Sequence, residues 1–253
     1  MSWNPELYHK FQEERFAPFL DLAGLIRVRE GMDVLDLGCG TGELTEMLSG
    51  RLPGCAILGI DSSPEMLERA RDKASPAVRF EERSIEDLEG KWDLIFSNAA
   101  IQWVHNHAEL IPKLFSHLRS GGQLVIQLPS NHSHPTQNFI AVTAGEEPYS
   151  KALRGWSRSF SVLPLREYAE LLFKSGGEDI VAFEKVYPHV LQDSNAILDW
   201  LSGTALLPYL ECLPGELHET FQSALGNKLK EAYPGSPVFY PFNRILFSAH
   251  KPG

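Results

Sequence analysis

The sequence predicts an α/β fold built on a mostly parallel sheet, and three observations carry that prediction. Five short apolar runs alternate with helical patterns between residues 32 and 128, the rhythm of βαβ units with right-handed crossovers. The first run, Val34-Leu35-Asp36-Leu37, passes directly into Gly38-Cys39-Gly40-Thr41-Gly42, and a helical pattern opens at Glu43. The second run ends at Asp61, 19 residues after Gly42. A strand, a glycine turn and a helix N-terminus in succession let backbone N–H groups approach a polar ligand with no Cβ in the way.

Residues 4–27 have a broken apolar stripe (Leu7, Phe11, Phe16, Phe19, Leu20, Leu22 to Ile26) and read as helix. Met32 to Leu37 is the first strand, Glu43 to Arg51 the first crossover helix, and Ala56 to Ile60 the second strand, closed by Asp61. Ser63-Pro64-Glu65 supplies an N-cap, a proline at the first helical position and an acid in the first turn of a helix over 64–74. Val78 to Phe80 and Asp93 to Phe96 are the third and fourth strands. Asn106 with Glu109 reads as a capping box for a helix over 107–118, stopped by Gly121-Gly122, and Gln123 to Leu128 is the fifth strand. Residues 130–163 are polar and read as irregular. A helix over 165–174 and a strand over 178–187 resume the core pattern, helices broken near Pro208 and Pro214 fill 193–232, and 243–249 is the last strand. The chain is expected to be one domain over 1–253. It would comprise an N-terminal helical cap (1–29), a ligand-binding core (30–128), two insertions covering one sheet edge (129–163 and 190–236), and the remaining core in 164–189 and 237–253.

Of the 253 residues, 43% are hydrophobic and 22% charged, and the net charge is −10. That charge, with no Lys/Arg-rich run, excludes the electrostatic footprint of a nucleic-acid binder. No apolar run reaches the length of a membrane span, and Met1-Ser2-Trp3-Asn4-Pro5 has neither the basic nor the apolar region of a signal peptide. Cys39, Cys55 and Cys212 are odd in number and widely spaced, which points to a reduced, cytoplasmic protein. His105-Asn106-His107 and His132-Ser133-His134 lack further ligands at recognisable spacing and read as solvent-exposed loop histidines; no metal is expected.

Ligands of parallel sheets sit at the carboxyl ends of the strands, where the strand order reverses. Asp61 is placed there to accept hydrogen bonds from a ribose diol, so the ligand should contain adenosine. In the dinucleotide pattern G-x-G-x-x-G, Glu43 would occupy the third glycine's place and face a pyrophosphate, which is unfavourable. No Gly-Lys-Ser/Thr follows, so a Walker loop is excluded as well.

Asp36 to Gly42 together with Gly59-Ile60-Asp61 resembles the signature of class I S-adenosylmethionine-dependent methyltransferases. The resemblance implies a Rossmann-like, seven-stranded, mostly parallel sheet with helices on both faces, helical lid insertions and a final antiparallel strand. It implies S-adenosylmethionine as cofactor and S-adenosylhomocysteine as product. By matching positions, Asp36, Gly38, Cys39, Gly40, Gly42, Asp61, Ser62, Met66, Ser84, Ile85, Asn98 and Ala99 would hold the cofactor.

A further resemblance runs nearly end to end, through Ser2 to Tyr8, Gly59 to Leu67, Asp93 to Ala99 with Gln102-Trp103, Asp199-Trp200 and Asn243 to Phe247. These stretches are similar to the trans-aconitate 2-methyltransferase family, whose members esterify a carboxylate of a small acid. The malonyl-acyl-carrier-protein methyltransferases are neighbours, and a non-catalytic cofactor-binding module is the alternative from another class. Tyr8, Gln102, Trp103, Tyr187, His189 and Arg244 would line the substrate pocket by the same matching, and Arg15, Arg154 and Arg158 are extra candidate cations. Two positions depart from the family pattern: Ser84 stands where an acid is usual, and Leu207 where arginine is usual. A carboxylate is ionised at pH 7 and needs no general base, so alignment and proximity are expected to carry catalysis, with no catalytic residue as such. The expected partner is a small carboxylic acid, with a monomer the simplest state. The N-terminal helix carrying Tyr8 and Phe11 is expected to act as a lid.

Overall fold

The computed structural model describes residues 12–253. Tyr8, Phe11 and the remainder of the N-terminal lid expectation therefore lie outside the described residues. Seven strands, β1 (Asp33–Leu37), β2 (Ala56–Asp61), β3 (Val78–Glu82), β4 (Trp92–Asn98), β5 (Leu118–Pro129), β6 (Glu178–Leu191) and β7 (Val238–His250), form one sheet in the order β3-β2-β1-β4-β5-β7-β6. The β1–β2, β1–β4, β2–β3 and β4–β5 pairs are parallel, and β7 runs antiparallel to β5. The order reverses between β1 and β4, which puts the switch point at the glycine loop.

Both faces of the central strands are apolar, as a sheet covered on both sides requires. One face carries Val34, Leu94, Phe96, Val125 and Leu246 against Phe19 and Leu22 of α1 (Gln12–Ala23) and Leu48 of α2 (Glu43–Ser49). The opposite face carries Leu35, Leu37, Ile95, Leu124, Ile126 and Phe247. It packs on Leu110, Ile111 and Leu114 of α4 (His107–Ser116) and on Tyr168 and Leu172 of α7 (Leu165–Lys174). Leu67 and Ala70 of α3 (Pro64–Ala70) pack with Phe80 of β3, and the helix begins as its sequence requires: Met66 N–H donates to Ser63 Oγ at 3.3 Å, with Pro64 in the first turn.

The chain divides into two compact units, one of Ala17–Pro129, Ser161–Lys185 and Arg244–Gly253, the other including Ser130–Phe160 and Val186–Asn243. The second has its own core. Ile140 of α5 (Pro135–Gly145), Tyr149 of α6 (Tyr149–Leu153), Ile197 and Trp200 of α8 (Ser194–Ser202), Tyr209 of α9 (Leu207–Cys212) and Phe221 and Leu225 of α10 (His218–Ala232) meet Tyr240 and Phe242 there.

Five local expectations are corrected. Asn106 does not close a capping box: it adopts a left-handed conformation (φ 53°) and makes no side-chain cap, and its carbonyl instead receives the N–H of Glu109 and Leu110. Asparagine tolerates that region better than most residues, so the turn was available to it. Gly121-Gly122 does not stop a helix but lies inside β5, which starts at Leu118 and absorbs a register shift opposite Trp92 and Leu94. Residues 130–163 are not wholly irregular, since α5 and α6 form there. His134 accepts the Thr136 N–H at the start of α5 and stacks edge-on to Tyr240 at 4.7 Å, so it is a capping and packing residue rather than an exposed loop histidine.

His107 is the fifth correction, being 1% exposed and so not a solvent-exposed loop histidine. Its Nε2 lies 2.8 Å from the Ile101 carbonyl and therefore carries the proton, which leaves Nδ1 to accept from the Tyr168 hydroxyl at 2.5 Å. Tyr168 in turn accepts the Leu163 N–H. Burial lowers the His107 pKa, keeping the ring neutral as this arrangement needs.

Candidate cofactor and acceptor site

The loop after β1 is shaped by two opposite demands on its glycines. Gly38 has φ +70°, and a Cβ built on it would lie 2.2 Å from the Ala100 Cβ. Gly40 has φ +56°, and a Cβ there would meet nothing within 4 Å among the described residues, so its backbone borders open space there. The first glycine lets the loop pass the end of β4, and the second presents bare backbone outward. Gly38→Ala is expected to distort the loop or prevent folding. Its Tm should drop by more than that of Gly40→Ala, in which only the backbone conformation is strained; equal melting would contradict the packing assignment.

Asp61 ties this loop to the end of β2. Its Oδ2 accepts the Gly40 N–H at 3.0 Å and its Oδ1 accepts the Ser63 N–H at 2.9 Å. The carbonyl of Ile60 accepts the N–H groups of Gly38 and Cys39. Each carboxylate oxygen of Asp61 keeps a lone pair for a further donor. Ser62 beside it is exposed and Met66 half-buried. Ser84 Oγ accepts the Glu86 N–H at 3.1 Å, so it shapes its own turn, and Ile85 lies against the site of Gly38. Cys39 is 8% exposed; burial, then the charges of Asp36 and Asp61, push its thiol far up, which makes it an inert packing group.

Asp36 is 4% exposed and accepts the Thr45 hydroxyl at 2.6 Å. Burial raises its carboxyl to about 6, against the lowering effect of Thr45 and with a further push from Asp61. The folded protein thus holds this proton more tightly than the unfolded chain, whose carboxyl has the ordinary value of 3.8. The stability contributed is full at low pH and is lost as pH rises toward 6, by on the order of 2–3 kcal/mol. Asp36→Asn cannot ionise, so denaturant titrations at pH 5 and 7.5 should show the wild type losing stability relative to the variant as pH rises. Parallel curves would refute the assignment.

At the end of β4, Ala99 has φ 54°, a strained value for a residue with a Cβ, and its N–H donates to the Gln127 carbonyl. The Gln102 amide donates to the Ala99 carbonyl at 2.7 Å and closes the turn Ile101–Trp103. The Asn98 Oδ1 and the Gln102 Oε1 are buried acceptors with no hydrogen-bond partner among the described residues. Trp103 is 49% exposed. Arg244 is 5% exposed on β7, opposite Pro129 of β5. Tyr187 and His189 belong to the other compact unit. There His189 stacks on Phe242 at 5.5 Å and meets Trp200 edge-on at 4.9 Å. Within that unit Arg158 donates to the Ala205 carbonyl and sits over the Phe160 ring. Gln127 was not among the sequence candidates, although its signal was present: one amide inside the apolar run Leu124 to Leu128. Among the described residues no group of three His, Cys, Asp or Glu is arranged to hold a metal, and no helix is long and apolar enough to cross a membrane.

A parallel sheet with its switch point at a glycine loop, and an acid on the second strand tied to that loop, defines a Rossmann-like enzyme of the nucleoside-cofactor class. A family model described as a methyltransferase domain matches residues 8–178. Trans-aconitate 2-methyltransferase of Deinococcus radiodurans is 43% identical over 258 residues, covering 100% of this chain and 99% of that one. The enzyme of the same name from Variovorax paradoxus is 36% identical, covering 92% and 91%. Among solved structures, the YcgJ protein from Bacillus subtilis aligns with a TM-score of 0.61 at 16% identity, over 94% of this chain and 99% of that one. Phosphoethanolamine N-methyltransferase 2 of Haemonchus contortus, solved with S-adenosylmethionine, aligns with a TM-score of 0.55 at 18% identity, over 94% of this chain and 52% of that one. The chain belongs to the methyltransferase-domain family and is a class I S-adenosylmethionine-dependent methyltransferase.

The residues present fit that cofactor. Bare backbone at Gly40, two neighbouring carboxylates for a cationic ligand and a buried acceptor at Asn98 without a partner are complementary to a nucleoside that carries a sulfonium and an ammonium group.

Proposed function

We propose that this enzyme esterifies a carboxylate of a small polycarboxylic acid, with trans-aconitate the substrate to test first. What supports the acid class is Arg244: a guanidinium buried to 5% exposure in the middle of β7, paired with Pro129 at the carboxyl end of β5, offers a bidentate fork in a low dielectric, where a carboxylate gains most from it. What supports the particular acid is the similarity, along the whole chain, to relatives named for trans-aconitate.

When bound, S-adenosylmethionine supplies an electrophilic methyl on its sulfonium. Asp61 would accept from the ribose, Asp36 and Asn98 would face the cationic methionine end, and Ser62, Met66, Ser84 and Ile85 would border the nucleoside. Among the described residues, the ends of β4 and β5 carry the neutral amides of Asn98, Gln102 and Gln127, and the nearby His107 has both ring nitrogens engaged away from an acceptor. None of these amides takes up a proton at neutral pH. That set suits an acceptor that arrives ionised, as a carboxylate does, and suits poorly an amine or phenol that must lose a proton. Alignment and water exclusion are then what the protein contributes. Incubation with labelled cofactor and trans-aconitate should give a base-labile methyl ester; labelled amine or protein products with no ester would replace this reading.

A further inference from the structure

Gln127 is 0% exposed, and neither its Nε2 nor its Oε1 has a hydrogen-bond partner among the described residues. Leaving both ends of an amide buried and unpaired forfeits the hydrogen bonds each had with water, so such a residue calls for a reason. Its place in the sheet supplies one. Register partners share a face, and Gln127 is paired with Asn98 of β4 on one side and with Leu246 of β7 on the other. Two residues further on, Pro129 is paired with Arg244, so Arg244 projects from that same face. Three successive strands thus place Asn98, Gln127 and Arg244 on one face at the sheet's switch-point end. The opposite face there is apolar, with Ile126, Leu128, Ile245 and Phe247. The Asn98 Oδ1 is likewise buried without a partner.

We propose that Gln127 is a substrate-contacting specificity residue, whose Nε2–H groups hold the methyl-accepting carboxylate while Arg244 holds a second, non-reacting carboxylate. The proposal rests on the carboxylate reading above and assigns the two ends of the acid. Strand order gives the direction. Asn98 lies on β4, next to β1 and its glycine loop, Gln127 lies one strand further away on β5, and Arg244 lies beyond it on β7. The reacting group belongs nearest the cofactor loop, hence at Gln127. The chemistry agrees: a nucleophilic carboxylate clamped by a guanidinium gives up electron density, whereas a neutral amide orients it at smaller loss. Transfer forms one carboxylate O–CH3 bond and breaks one S–CH3 bond, with the electron pair returning to sulfur and no proton moved. The diagonal relation between Gln127 and Arg244 spans roughly 7–8 Å at the backbone, a distance that a small acid with separated carboxylates can bridge.

The test is Gln127→Leu, with Gln127→Met as a second variant of closer shape. Removing an unpaired buried amide should leave Tm unchanged or raised, and S-adenosylmethionine affinity by calorimetry should stay within about twofold. KM for trans-aconitate should rise about tenfold or more, one lost charge-assisted hydrogen bond. Variants that melt lower while keeping the wild-type KM would make Gln127 a structural amide and overturn the proposal. A wild type that methylates none of trans-aconitate, fumarate and crotonate overturns the carboxylate reading itself, and the assignment with it. A wild type that methylates one of them, with both variants matching its KM, removes only the assignment.

Discussion

Asp61→Ala should weaken S-adenosylmethionine binding by roughly 100-fold, with little change in KM for the acid. The size follows from what the carboxylate does in the structure. In its proposed role it accepts charge-assisted hydrogen bonds from a ribose diol, whose joint loss is set at about 3 kcal/mol, two bonds at the lower end of the 1.5–3 kcal/mol such a bond is worth. It also accepts the N–H groups of Gly40 and Ser63, at 3.0 and 2.9 Å, so truncation frees the glycine loop as well. Part of the effect is therefore loop preorganisation, which can be separated. Asp61→Asn keeps one oxygen for either N–H but turns an NH2 toward the other, a donor facing a donor. Its loss should approach that of alanine despite the near-identical shape. Titration calorimetry on the two variants checks this. An asparagine variant binding within threefold of wild type would show that the charge and the second acceptor are both dispensable, contradicting the assigned role.

The sheet was legible because buried parallel strands announce themselves as apolar runs, and β1, β2, β4 and α7 begin and end within about two residues of the expected positions. The long strands were less so. β7 starts at Val238 rather than 243, because Val238, Tyr240 and Phe242 alternate into the helical unit's core while Phe239 stays 60% exposed. An alternating half-strand looks weaker in sequence than a continuous run. In the site, glycine spacing named the loop, yet nothing in the spacing said that Gly38 is pressed on Ala100 while Gly40 faces open space. His107 reads identically to its neighbour His105 in sequence. Only the packing of α4 on α7 brings Tyr168 to one and leaves the other exposed. Burial of Arg244 was equally invisible, since its flanking residues Asn243 and Ile245 fit a surface strand as well as a covered one.

That burial changes what Arg244→Ala is expected to do. Were the guanidinium at the surface, its loss would be worth a few tenths of a kcal/mol and screened by salt. At 5% exposure it is desolvated, and a carboxylate that pairs with it does so where removing one partner costs about 3–5 kcal/mol. KM for trans-aconitate should therefore rise on the order of 100-fold or more, while S-adenosylmethionine affinity, which the proposed site assigns to groups on β1, β2 and β4, should hold. Arg244→Lys separates charge from shape. The ammonium retains attraction but not the two parallel N–H groups, so its KM should fall between wild type and alanine. The acid panel sharpens the same point. If Arg244 grips a non-reacting carboxylate, the alanine variant should lose its preference for a di- or triacid over a monoacid, since the monoacid never used that contact. Equal proportional losses for every acid would instead place Arg244 at the reacting carboxylate. A drop in Tm with unchanged KM for all of them would leave it a structural cation beneath the site.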